Sequence, residues 1–225
     1  MNKKIVFLLI SITFGWTGTT HAGLTGFTDR TAFEVAIGGS NGSEDFSSFL
    51  TDADFTVSSV AANNMTISGD SSVDAPITNK IDASPLEVSG IYSNGTSYLF
   101  GQLFLLEQIR IDFIRGVTAW GGDFNGAANA NAGNNTSIQV FSSTDLLLGS
   151  LQLIDAGGDA GFTSFNGFNL NAGEVASYII LQNSNPNDND AFGLDDIAFK
   201  VPAPATLALF GIGLAGLGWS RRKKA

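Results

Sequence analysis

Between Thr28 and Gly39 apolar residues recur at Phe33, Ala36 and Ile37, behind a capping residue and ahead of a glycine. That spacing predicts one short helix. Beyond it the pattern changes. Ile109-Arg110-Ile111-Asp112-Phe113 alternates, which puts Ile109, Ile111 and Phe113 on one face and the charges on the other, as in a half-buried strand. Short runs rich in Val, Ile, Phe and Leu also occupy residues 55–60, 65–68, 96–100, 117–120, 137–141, 148–153, 177–182 and 192–199, bounded by Gly, Asn, Asp or Ser. Residues 121–135 and 183–190 are dominated by residues that favour turns, so they read as loops. No long amphipathic helix interrupts the runs. The expected fold class is therefore all-β, an antiparallel β-sandwich of jelly-roll type with one short N-terminal helix; a single closed barrel is the alternative.

Both ends of the 225-residue chain depart from this pattern. Lys3-Lys4 precede an apolar run from Ile5 to Phe14, and Thr20-His21-Ala22 follow with small residues where a signal peptidase cuts. Residues 1–22 are expected to be a signal peptide for the Sec pathway, cleaved between Ala22 and Gly23. The alternative is an uncleaved anchor, but the apolar run falls short of the ~20 residues that cross a bilayer. At the other end, Val201-Pro202-Ala203-Pro204 lead into an apolar stretch and then Arg221-Arg222-Lys223-Lys224. The prolines stop the last strand, residues of about 205–220 are expected to form a C-terminal transmembrane helix, and the basic cluster stays on the cytoplasmic side. Gly211, Gly213, Gly216 and Gly218 read as close-packing positions in that helix rather than a dinucleotide loop, because no acidic partner follows. This leaves residues 23–200 as the extracytoplasmic β-sandwich domain.

The tail, residues 201–225, resembles the PEP-CTERM sorting signal of Gram-negative bacteria, in which a Pro-Glu-Pro motif, a short membrane helix and an Arg-rich end are recognised by an exosortase. The order and spacing of the three zones match, with Ala203 in place of the usual glutamate. The resemblance implies export, tethering to the inner membrane, an exosortase-type processing enzyme as partner, and a final place at the cell surface or in extracellular polysaccharide, as in a biofilm. An ordinary single-pass C-terminal anchor is the alternative. Proteins with this tail carry diverse outer domains, so it leaves the activity open.

Charge narrows the activity. Six of the 11 basic residues lie in the two ends, leaving Arg30, Lys80, Arg110, Arg115 and Lys200 against 21 acidic residues. A surface this negative repels phosphate backbones, which argues against nucleic acid, and attracts divalent cations. There is no cysteine, and the one histidine, His21, lies in the signal segment. The domain thus lacks the common proton shuttle, the thiolate nucleophile and the usual zinc ligands. Carboxylate or hydroxyl chemistry remains, and the expectation is a protein that is not an enzyme.

Two sets of residues are candidates for binding. If Ile197 and Phe199 face the core, period two places Asp195 on the same face and Asp196 outside. A buried carboxylate needs a partner. By similarity to jelly-roll carbohydrate-binding modules, calcium held by Asp195, the early pair Glu44 and Asp45, and Asp123 is one answer, and turn-capping or pairing with Arg110 or Arg115 is the other. Trp120, beside Gly121-Gly122, is the candidate glycan contact, against the plainer reading of a core aromatic. The leading functional expectation is an exported, non-enzymatic surface or matrix protein with weak glycan binding to exopolysaccharide. The alternatives are a carboxylate-based glycan hydrolase, for which no specific carboxylate pair stands out, and a purely structural adhesin.

Overall fold

The computed structural model describes residues 23–69, 79–83, 96–104, 107–127, 136–154, 163–184 and 189–203, with Thr206 and Phe210 of the tail. The signal segment through Ala22, Pro204 and nearly all of the expected membrane helix and basic end lie outside the described residues. Among the described residues no helix is long and apolar enough to cross a membrane.

The chain begins with β1 (Leu24–Phe27), α1 (Arg30–Ile37), β2 (Gly42–Glu44), β3 (Ala53–Asp54), β4 (Val60–Ala62), β5 (Met65–Gly69) and β6 (Lys80–Asp82). It continues through β7 (Tyr98–Phe104), β8 (Gln108–Val117), β9 (Ala119–Asn125), β10 (Thr136–Phe141) and β11 (Leu147–Gln152). It closes with β12 (Thr163–Leu170), β13 (Ala176–Asn183) and β14 (Asn189–Lys200). Among the described residues these strands form two antiparallel sheets. Sheet A has the order β1-β12-β9-β14-β7-β6-β3, with β2 also on β14, and sheet B the order β11-β10-β13-β8-β5-β4. From β7 onward the chain crosses between sheets at almost every step, so each inner face is built from distant segments. Both sheets have free ends, which separates this sandwich from a closed barrel.

The core lies between the sheets. Trp120, Phe124, Phe168, Phe192 and Leu194 of sheet A meet Ile109, Ile111, Ile138, Ile179 and Leu181 of sheet B. The alternation in β8 is realised: Ile109, Ile111 and Phe113 are buried, while Arg110 and Asp112 face out. A second, smaller cluster lies on the outer face of sheet A, where α1 packs Phe33 and Ile37 onto Ala119, Phe165 and Ala198. Asp29 caps the helix by accepting the Ala32 N–H at 2.7 Å, and Gly38, at φ 67°, ends it in the left-handed conformation.

Several element predictions need correction. Residues 121–125, expected in a loop, are the second half of β9. Their glycines permit close packing, since a Cβ on Gly121 would lie 2.5 Å from Phe165 Cζ and 2.9 Å from the Gly167 Cα. The run 55–60 is mostly not a strand; Phe55 instead is a buried core residue beside a turn, between β3 and β4. Residues 163–170, left without an element, form β12, which pairs with both β1 and β9.

Candidate functional site

β14 organises the chemistry of sheet A. Along one edge it pairs with β9; along the other, Asn189–Leu194 pair with β7 and Ile197–Phe199 pair with β2. The change of partner coincides with a bulge, where Asp196 takes φ 47° and the register against β9 shifts between Asp195 and Ala198. The extra residue lets Leu194 and Ile197 both enter the core. Asp195, opposite Asp123, therefore shares the outer face with it, beneath α1, and not the core face of Ile197 that strict alternation predicts.

Asp195 is only 4% exposed. Its Oδ1 accepts the Asp196 N–H at 2.7 Å and its Oδ2 accepts the Thr96 hydroxyl at 3.0 Å. Burial pushes its pKa up to about 6; the two hydrogen bonds oppose that rise, and the charges of Asp196 and Asp45 add to it. Burial also raises Asp123, against the pull of Arg30. The Arg30 Nη2 lies 3.0 Å from Asp123 Oδ2 and donates to the Asp196 carbonyl at 2.5 Å, and its guanidinium stands 4.8 Å over the Phe165 ring. Glu44 is buried on β2 with both oxygens engaged, Oε1 by the Phe46 N–H at 2.6 Å and Oε2 by the Asn63 N–H at 2.7 Å. The first of these bonds holds Phe46 at φ 53°. Asp45 is exposed and accepts the Ser47 hydroxyl and N–H at 2.7 and 3.1 Å, which hold its carboxyl below the usual range. At the bulge is a cleft of about 370 Å³ whose lining includes Arg30, Glu34, Glu44, Asp45 and Asp196, but not Asp195.

The structure thus brings Asp123 and Asp195 face to face across two strands, with Glu44 and Asp45 at the adjoining β2 end. Calcium would need six to eight converging oxygens. The arrangement does not fit it: Glu44 is consumed by backbone N–H groups, Asp123 by Arg30, and among the described residues no three acidic or imidazole side chains are grouped to hold a metal. The positive charge at this corner belongs to Arg30.

Trp120 is fully buried between the sheets, its ring 6.4 Å from Phe168 in a stacked pair and 6.3 Å from Phe124 edge-on. With no exposed ring face it cannot serve as a platform for a sugar, so that expectation gives way to the core reading.

An aromatic and amide patch that the sequence reading missed lies on the outer face of sheet B. Phe141 stacks on Tyr178 at 4.8 Å and 11°, and Arg110 covers Tyr178 at 3.6 Å while its Nη2 bonds Asp112 at 2.6 Å. Beside them Gln139 Nε2 donates to Gln182 Oε1 at 3.1 Å. In the sequence Arg110 stood as an outward charge of β8 and a candidate partner for Asp195, and Phe141 as the end of a strand run; their convergence depends on the register of β8, β13 and β10.

At the end of β14 the chain leaves sheet A through a side-chain clamp. The Val201 N–H donates to Asn41 Oδ1 at 2.7 Å, and Asn41 Nδ2 donates to the Val201 carbonyl at 3.0 Å. One amide side chain thereby satisfies both backbone groups of the first tail residue, as a neighbouring strand would. A family model for the PEP-CTERM protein-sorting motif matches residues 200–223, starting at the last residue of β14. The chain carries a PEP-CTERM sorting motif. Val201, Pro202, Ala203 and Pro204 are its opening residues, and the alanine at 203 does not remove the match. No curated protein matches the chain. Among solved structures, the lectin domain of lectinolysin complexed with Lewis B antigen is similar at 13% identity and TM-score 0.39, covering 61% of this chain and 92% of that one. A fucose-binding module of Streptococcus pneumoniae is similar at 9% identity and TM-score 0.38, with 61% and 90% covered. The K1 cleaved adhesin domain of Lys-gingipain from Porphyromonas gingivalis W83 is similar at 13% identity and TM-score 0.40, with 68% and 98% covered.

Proposed function

We propose that this PEP-CTERM protein is exported, held at the inner membrane by its tail, and released by an exosortase-type enzyme to the cell surface or the extracellular polysaccharide, where its β-sandwich acts without catalysis. The observation that carries this reading is the position of the motif: it starts where the last strand ends, and the Asn41 clamp marks the boundary. Residues 205–220 supply the membrane helix in this account. In cells that carry the sorting enzyme the protein accumulates outside the inner membrane; deletion of that enzyme retains it in the membrane fraction. Equal release with and without the enzyme contradicts the reading.

For the molecular act we propose weak glycan contact on the outer face of sheet B, around Phe141, Tyr178, Gln139 and Gln182. Sugar recognition combines an aromatic surface with amide and guanidinium groups; Tyr178 is itself buried, against Phe141 and under Arg110, so the ring this face offers is the half-buried Phe141, with Gln139 and Gln182 beside it. The hydrolase alternative would draw on Asp195, whose raised pKa suits a general acid. Its near-complete burial, outside the lining of the acidic cleft, favours a structural role. A glycan array run with a reducing-sugar assay separates the readings. Binding lost in Phe141→Ala without sugar release supports the proposal, sugar release supports the hydrolase, and neither signal supports a structural adhesin.

A further inference from the structure

The tail leaves the domain beside a cleft of about 310 Å³ whose walls include Asn41, Asn63, Asn64, Arg115, Pro202 and Ala203. Its donors are unequal. Asn41 is committed to Val201, and Asn63 Nδ2 donates to the Ser43 carbonyl at 2.8 Å. Asn64 is held at φ 54° with its carbonyl accepting the Ile114 N–H at 2.9 Å, and its Nδ2 is buried without a partner. Arg115, on the solvent side of β8, has no ion-pair or hydrogen-bond partner among the described residues. The other four cations of the domain are engaged: Arg30 by Asp123, Lys80 by Asp52 and Asp82, Arg110 by Asp112, and Lys200 by the Ile37 carbonyl. In a domain so rich in carboxylates, an unpaired guanidinium on the wall of this cleft, with an unpaired amide buried in another of its lining residues, marks a site for an acceptor that carries negative charge.

We infer that this cleft binds a peptide carboxylate, and that its ligand is the chain's own new C-terminus after the sorting segment is cut. The inference rests on the sorting reading above. Hydrolysis at the end of the motif breaks one C–N bond, water supplying the second oxygen of the new carboxylate and the proton of the departing amine. Because Pro202 and Ala203 line the same cleft as Arg115, a terminus at Ala203 puts that carboxylate at the cleft that Arg115 lines. The guanidinium fork takes its two oxygens. The cut end is thereby folded back onto the domain, and the clamp at Val201 fixes the reach.

The test compares the protein recovered from cells with the sorting enzyme with intact chain from cells lacking it. Mass spectrometry first reads the C-terminus. An intact chain in enzyme-bearing cells overturns both this inference and the sorting reading. A cut chain ending far from residue 203, or bearing a group attached to the new terminus, overturns this inference alone. With a free carboxylate at 203 or 204, the Arg115 Nε–H resonance shifts as the terminus titrates near pH ~3.5 in the cut form and stays fixed in the intact form. Added acetate moves that resonance in the intact form only, which distinguishes an external carboxylate from the chain's own. Arg115→Gln lowers the melting temperature of the cut form by about 2–4 °C and leaves the intact form unchanged. An Arg115 signal equally indifferent in both forms, or equal melting shifts in both, overturns the inference. The resonance comparison uses the wild-type protein and does not depend on how the variant folds.

Discussion

Asp195 is buried at the point where β14 changes partners, with its pKa raised to about 6. Its unfolded value is that of an ordinary aspartate near 3.9. The folded state therefore holds the proton more tightly, and the stabilisation this gives is complete below the unfolded pKa and lost as pH rises through about 6. Chemical unfolding between pH 4 and 7 should show this loss, and Asp195→Asn should flatten that step and raise stability at pH 7 by about 1–2 kcal/mol. A variant that is less stable at pH 7 would count against the burial account. Trp120 makes the complementary case. Trp120→Ala should cost about 3–5 kcal/mol by leaving a cavity between the sheets, read as a fall in denaturation midpoint with no specific change in glycan affinity. The sequence shows both residues at strand positions but not their faces. For Trp120 the deciding fact is that β9 is covered on both sides, by sheet B and by the Phe33 cluster.

At the scale of elements, β8 and α1 were readable because one periodicity runs through each and a cap or turn residue closes it. β12 was not. Its two phenylalanines, Phe165 and Phe168, are three residues apart and point to opposite faces, one to the helix cluster and one to the sandwich core. With Asn166, Gly167 and Asn169 between and after them, no period-two signal survives. The bulge in β14 hides in the same way, since one inserted residue moves Asp195 to the other face without altering composition. β9 looked like a loop because its glycines serve packing rather than turning. Gly121→Ala should therefore lower stability by about 1–3 kcal/mol, because the added methyl meets the Gly167 Cα at 2.9 Å, where backbone cannot withdraw. Thermal melting that matches wild type would show that β9 and β12 have room that this structure does not give them.

At the scale of the whole molecule, the acidic domain contains its own counter-charge. Arg30 ties α1 to Asp123 and to the Asp196 carbonyl, at the corner where calcium was one of two answers. EDTA should leave the melting temperature unchanged, and Arg30→Gln should lower stability by about 1–3 kcal/mol through the unpaired Asp123; a melting temperature that falls in EDTA would restore the metal. Of the four carboxylates, Asp123 and Asp195 do face each other across β9 and β14, but the arginine that answers Asp123 comes from a helix distant in sequence. The sorting motif was legible because its signal is linear: prolines, apolar stretch and basic end follow one another with no folding needed to bring them together. In the function proposed above, this tail is a sorting signal, removed near Val201 to Pro204 once the domain is outside. Mass spectrometry of the intact protein from its native cells tests it most directly. The expected mature chain begins at Gly23 and ends close to Ala203; a chain that retains Arg221 to Ala225 would contradict that function.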